Sequence, residues 1–199
     1  MLVGLDFDNT IVNYDQVFYD VAMETGIVPK EIPVNKLAVR DFLRSIGRED
    51  CWTEMQGYVY GARMDNAQLY PGFIDFIQHV KNAGHSAVII SHKTAHPFLG
   101  PKYDLHTAAY QWIEKNICIE GRPVLSTESI FFEPTKEKKL ERIAQLECDI
   151  FIDDLPEILT SPHFPVKVLG LLFDPDSKHS LDIPKFSSWA KIQRELRLS

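Results

Sequence analysis

Five short, mostly apolar runs punctuate the chain: residues 2–5 (LVGL), 87–90 (AVII), 130–132 (IFF), 150–152 (IFI) and 166–172 (VKVLGLL). Each is too short for a helix and rich in residues that suit a buried strand, so each predicts one. Between them, residues 72–83, 104–117 and 136–146 place apolar side chains three and four positions apart, the spacing of one helical face. Strands alternating with helices predict an α/β fold, a doubly wound parallel sheet of Rossmann-like layout with helices on both faces. A last segment, DIPKFSSWAKIQREL, reads as a loop and a terminal helix packed through Trp189, Ile192 and Leu196.

The alternation fails once, because no convincing strand follows residue 5 until residue 87. Inside that gap, residues 14–26 and 35–47 have amphipathic helical spacing, each stopped by a glycine. A third helix is expected over 49–64, broken around Gly57 and Gly61. The gap is too long for one crossover, so residues 14–69 are expected to form a small helical cap. Residues 1–13 and 70–199 then form the core, re-entered at the turn Tyr70-Pro71-Gly72.

Composition narrows the function. A chain of 199 residues, 45% hydrophobic and 25% charged, is long enough to bury a core and lacks the bias of disorder. The net charge of −7 disfavours a nucleic-acid binder, whose footprint is basic. No apolar run approaches the roughly 18 residues of a membrane span, and acids interrupt the only early apolar stretch, so no membrane partner or signal peptide is expected. Cys51, Cys118 and Cys148 are odd in number and widely spaced, which fits neither a zinc site nor a disulfide framework and suits a reducing cytoplasm.

The chemistry sits in charges placed where a buried strand should end. Asp6 and Asp8 are two residues apart, so they project to one side at the tip of the first strand, with Asn9-Thr10 starting the loop that leaves it. Asp153 and Asp154 directly follow the apolar run 150–152. In open parallel sheets ligands bind beyond the carboxyl ends of strands. Strands lie about 4.8 Å apart, so neighbouring tips would bring these acids to one point. Carboxylates crowded together repel unless a cation relieves them. Oxygen ligands without histidine or cysteine suit Mg²⁺, which shares its coordination readily with phosphate. Ser91 ends the run VIIS, where its hydroxyl and backbone N–H suit a phosphoryl oxygen. Lys136 opens a helix, where dipole and ammonium both favour an anion, although Lys138 and Lys139 compete for that role. His92 and Lys93 follow Ser91 directly and are expected at the pocket entrance.

These four elements, in this order, resemble the haloacid dehalogenase (HAD) superfamily of phosphohydrolases. DFDNT is similar to its D-x-D-x-T first motif, VIIS to the second, Lys136 to the third-motif lysine and IDDLPE to the acidic fourth, over residues 2–174. The helical segment between the first two motifs lies where this family places one class of cap, and residues 91–154 loosely resemble its 5′-nucleotidase branch. The resemblance implies that Asp6 is a nucleophile forming an aspartyl-phosphate and that Asp8 is the acid and base of the two steps. It implies Mg²⁺ held by Asp6, the Asp8 carbonyl and Asp154, with Asp153 outside, and phosphoryl oxygens held by Lys136, Ser91 and the Thr10 region. The expected substrate is a small phosphorylated metabolite, a nucleotide or sugar phosphate. Two alternatives are a catalytically idle phosphate-binding or regulatory module, disfavoured by retention of Asp6 and Asp8, and a dehalogenase, disfavoured by Asp8.

The blander readings are a strand-end turn for Asp6 and Asp8, a helix cap for Asp153-Asp154 and a solvated charge run for the lysines. The aromatic residues Trp52, Tyr58 and Tyr60 fit a cap core better than a lid over substrate.

Overall fold

In the computed structural model, which describes residues 1–196, the chain forms ten strands and eight α-helices among the described residues. The strands are β1 (Leu2–Leu5), β2 (Val12–Asn13), β3 (Gln68–Leu69), β4 (Ser86–His92), β5 (Cys118–Ile119), β6 (Arg122–Pro123), β7 (Ile130–Glu133), β8 (Ile150–Asp153), β9 (Leu169–Phe173) and β10 (Lys185–Phe186). The helices are α1 (Asp15–Glu24), α2 (Lys36–Ser45), α3 (Glu49–Tyr60), α4 (Phe73–Asn82), α5 (Leu105–Asn116), α6 (Lys136–Gln145), α7 (Pro156–Leu159) and α8 (Trp189–Leu196). Two compact units result. One holds Met1–Val12, Leu69–Lys93 and the chain from Glu114 on; the other holds Asn13–Gln68 and Thr94–Ile113. Among the described residues no helix is long and apolar enough to cross a membrane.

The first unit is built on a six-stranded sheet in the order β10-β9-β8-β1-β4-β7, with every pairing parallel. Neighbouring strand residues face opposite sides, and β9 shows what each side meets. Leu172 joins the apolar cluster of Leu140 and Ile143 from α6 and Ile158 from α7. Phe173 instead stacks on Trp189 of α8 at 5.2 Å, and that indole also packs on Phe73 and Phe76 of α4. Helices therefore cover both faces. Two details depart from the pattern-based expectation. Val166 is fully exposed and β9 begins only at Leu169, after a turn closed by Val168 N–H on the Pro165 carbonyl. Lys185–Phe186, expected as loop, adds a parallel edge strand through the pairs Lys185–Leu172 and Phe186–Phe173.

In the second unit α1, α2 and α3 pack around aromatic side chains. Phe18 lies 4.9 Å from Trp52 and Tyr14 lies 4.9 Å from Tyr60, so these rings are core. Helix α2 starts where Asn35 accepts hydrogen bonds from the N–H groups of Leu37 and Ala38, as an N-cap side chain does. Contrary to the expected break, α3 runs straight through Gly57 and stops at Gly61. Both glycines answer a packing need, since a Cβ would lie 2.6 Å from the Pro97 ring at Gly57 and 2.4 Å from Tyr103 at Gly61. Those contacts, and the Trp112 indole N–H donating to the Ala67 carbonyl at 3.0 Å, tie residues 94–113 to this unit. The sequence reading assigns that stretch to the core.

Candidate active site

Strand β1 lies between β8 and β4, and its hydrogen bonding outlasts its regular geometry. The Asp6 N–H donates to the Ile152 carbonyl at 2.9 Å, which holds Asp6 beside the end of β8. The chain then turns sharply. Asn9 adopts a left-handed φ of 62°, its N–H donates to Val12, and the Phe7 carbonyl accepts from Ile11 and Val12. An asparagine tolerates that conformation better than most residues. Its place in the motif is thus explained by the turn.

Asp6 of the first acidic pair meets both acids of the second. Asp6, Asp153 and Asp154 each offer a carboxylate oxygen, and these oxygens lie within 4.8 Å of one another. Thr10, fully buried, ties the two strand tips together. Its hydroxyl lies 3.2 Å from Asp6 Oδ2 and 3.4 Å from Asp154 Oδ1, and it accepts from the Asp154 N–H at 3.1 Å. Ser91, at the end of β4, donates to Asp6 Oδ1 at 2.9 Å.

The lysine at the centre is Lys139, which corrects the expectation for Lys136. Lys139 Nζ lies 2.6 Å from both Asp6 Oδ1 and Asp153 Oδ2, with its side chain 1% exposed and Phe151 beneath it. Lys136 sits in the first turn of α6 with its side chain 43% exposed and pairs with Glu157 at 2.8 Å. The helix explains the exchange, because Lys139 and Ile143 are four apart and share the buried face. Lys136 points to solvent. In the sequence, that shared spacing with Ile143 was the signal for Lys139.

Asp153 has no exposure at all, and its second oxygen accepts from the Leu155 N–H at 2.8 Å. Burial pushes its carboxyl up to about 6 against the opposing pull of Lys139. Burial alone would depress the Lys139 ammonium, but Asp153 and Asp6 outweigh it and raise its pKa.

The residues after Ser91 divide. Lys93 turns inward and grips Asp8, its Nζ 3.0 Å from Oδ1 and 2.8 Å from Oδ2. His92 bonds the Pro134 carbonyl at 3.2 Å, and burial lowers its pKa. Two donors two residues apart, Ser91 and Lys93, thus meet two acids two residues apart, Asp6 and Asp8. That matched period was readable in SHK and DFD.

Three carboxylates, of Asp6, Asp153 and Asp154, crowd around one ammonium, of Lys139. That excess of negative charge is what a divalent cation relieves. All the side-chain donors are hard oxygens, a set that fits Mg²⁺ and poorly fits a soft metal.

No protein-family profile and no curated protein matches the chain. Solved structures do. A HAD-family hydrolase from Deinococcus radiodurans, with bound phosphate and sodium, aligns at a TM-score of 0.60 and 14% identity, over 98% of this chain and 94% of its own. A magnesium-bound HAD hydrolase from Bacillus subtilis aligns at 0.57 and 14% identity, over 98% of each chain. A HAD phosphatase from Thermococcus onnurineus aligns at 0.53 and 15% identity, over 98% and 97%. The fold of this chain is that of HAD-superfamily hydrolases.

Proposed function

We propose that the protein is a Mg²⁺-dependent phosphatase that hydrolyses a small phosphorylated metabolite, a nucleotide or sugar phosphate, through an aspartyl-phosphate on Asp6. The observation that carries this reading is the meeting of Asp6 with Asp153 and Asp154 at adjacent strand tips, with Lys139 bridging Asp6 and Asp153. The similar structures described with bound phosphate and with magnesium support it.

In this reading a carboxylate oxygen of Asp6 attacks phosphorus, the bond to the leaving oxygen breaks, and Asp8 gives that oxygen a proton. Asp8, now a carboxylate, takes a proton from water as the water oxygen attacks the same phosphorus, which frees phosphate and restores Asp6. Ser91 and Lys139 hold Asp6 Oδ1 and keep the nucleophile pointed outward from the strand tip. Lys139 also places a fixed positive charge where the phosphoryl oxygens carry negative charge, the kind of preorganisation that contributes most to phosphoryl transfer. Asp6 and Asp154, with the Asp8 carbonyl, would hold Mg²⁺, while Asp153 is engaged with Lys139. When bound, the ion supplies charge neutralisation between a carboxylate nucleophile and an anionic substrate.

The test is turnover of p-nitrophenyl phosphate by the purified protein with Mg²⁺, repeated with Asp6→Asn. Mg²⁺-dependent release of phosphate, lost in the variant, is the expected result. Phosphate-ester inertness across a broad metabolite panel, with phosphate still bound, overturns it in favour of an idle binding module. Metal-independent release of halide from a haloacid overturns it in favour of a dehalogenase.

A further inference from the structure

The grip of Lys93 on Asp8 is built more firmly than a surface ion pair. The Lys93 backbone N–H donates to the Glu133 carbonyl at 2.9 Å, which fixes the lysine to strand β7 just past the end of β4. The Glu133 carboxylate is itself held by Arg142 of α6 at 2.7 Å. The Lys93 side chain is 3% exposed and its ammonium lies 5.5 Å from the centre of the Phe7 ring, which packs on Phe132 at 5.9 Å. From this fixed base Nζ reaches both oxygens of Asp8, so rotation of the carboxyl about its last torsion is restrained.

We propose that Lys93 is a positioning residue for Asp8, aiming its carboxyl at the oxygen that leaves the phosphorus and thereby setting how poor a leaving group the enzyme can expel. The proposal rests on the phosphatase reading above. Proton donation by a side chain depends on reach and direction, and Lys93 holds both oxygens of the carboxyl that would donate. A p-nitrophenolate departs as a stable anion and needs little from Asp8. An alkoxide departs only as it receives a proton. A lysine that merely stabilises the fold would affect both substrates alike.

The experiment measures kcat and KM for p-nitrophenyl phosphate and for glycerol 2-phosphate, with Mg²⁺, in the wild type and in the variants Lys93→Met, Asp8→Asn and Asp8→Asn/Lys93→Met. The double variant carries neither charge, so it keeps the comparison open if Lys93→Met alone, which strands Asp8, fails to fold. The expected result is that Lys93→Met lowers kcat on the alkyl ester about tenfold more than on the aryl ester, with both KM values within about threefold of wild type. The double variant should be no slower on either ester than Asp8→Asn, since a residue acting through Asp8 has nothing left to act on. Equal loss on both esters, or a further loss in the double variant, overturns the proposal alone. Absence of turnover by the wild-type protein overturns the phosphatase reading and the proposal with it.

Discussion

Lys139 Nζ stands 2.6 Å from Asp153 Oδ2, an ion pair in which neither side chain is more than 1% exposed. Pairs removed from water this completely stabilise little as pairs, yet they are costly to break from one side. Lys139→Met is therefore expected to cost about 3–5 kcal/mol, because it leaves a buried carboxylate without its partner. Lys136→Met removes an exposed pair and is expected to cost less than about 1 kcal/mol. Urea denaturation of the two variants checks the contrast. Equal losses would mean that α6 presents its lysines differently from the arrangement described.

The excess of negative charge at the strand tips predicts coupling between metal and stability. Saturating Mg²⁺, at about a hundred times its dissociation constant, should stabilise the folded protein by about 2.7 kcal/mol. The rise in Tm should be lost on chelation and strongly reduced in Asp154→Asn. A thermal scan with and without Mg²⁺ reads both effects without relying on catalysis.

Gly57 lies inside α3, where alanine would ordinarily gain about 1 kcal/mol of helix propensity. The added methyl would sit 2.6 Å from Pro97 Cβ and 2.8 Å from Pro97 Cγ, and a proline ring cannot swing away as a flexible side-chain end can. Overpacking of this kind costs about 1–3 kcal/mol, so Gly57→Ala is expected to destabilise. A higher Tm for the variant would refute the stated reason for this glycine.

Asp174 follows β9 and accepts the N–H groups of Lys178 and His179, each at 3.0 Å, on separate oxygens. Burial pushes its carboxyl upward, but the donated N–H groups outweigh it and leave the pKa below the usual range. A carboxyl depressed by folding contributes stability above its unfolded pKa, about 3.9, and loses it as pH falls through the folded value. Asp174→Asn, which leaves one N–H facing an amide donor, is expected to be about 1–2 kcal/mol less stable at pH 7. The gap should narrow below pH ~3.9. Denaturation midpoints measured at both pH values decide it, and a pH-independent gap would contradict the assignment.

The alternation of apolar runs with helical spacing determined the layered α/β character, because burial on both faces of a parallel strand leaves a visible apolar block. The two-residue strand β10 was invisible for the converse reason: Lys185 and Phe186 carry no periodicity and are ordered by pairing with β9. Residues 94–113 were similarly silent. Their membership of the helical unit comes from close approach to Gly57, Gly61 and Ala67, residues remote in sequence.

The acids at residues 6, 8, 153 and 154 could be read directly from the chain, since charge at the end of an apolar run needs a local explanation. Their convergence could not. It depends on β1 and β8 being neighbours in the sheet, with Leu5 opposite Ile152, a choice made by the packing of the whole core. The partner of each acid was settled at the same level. Lys139 rather than Lys136 meets Asp6 because the rotation of α6 against Phe151 decides which lysine is buried. Lys93 meets Asp8 because it lies two residues beyond Ser91, just past the end of β4, on the same side. Residue type and spacing supplied the charges, and only the three-dimensional arrangement of strands and helices decided which of them touch.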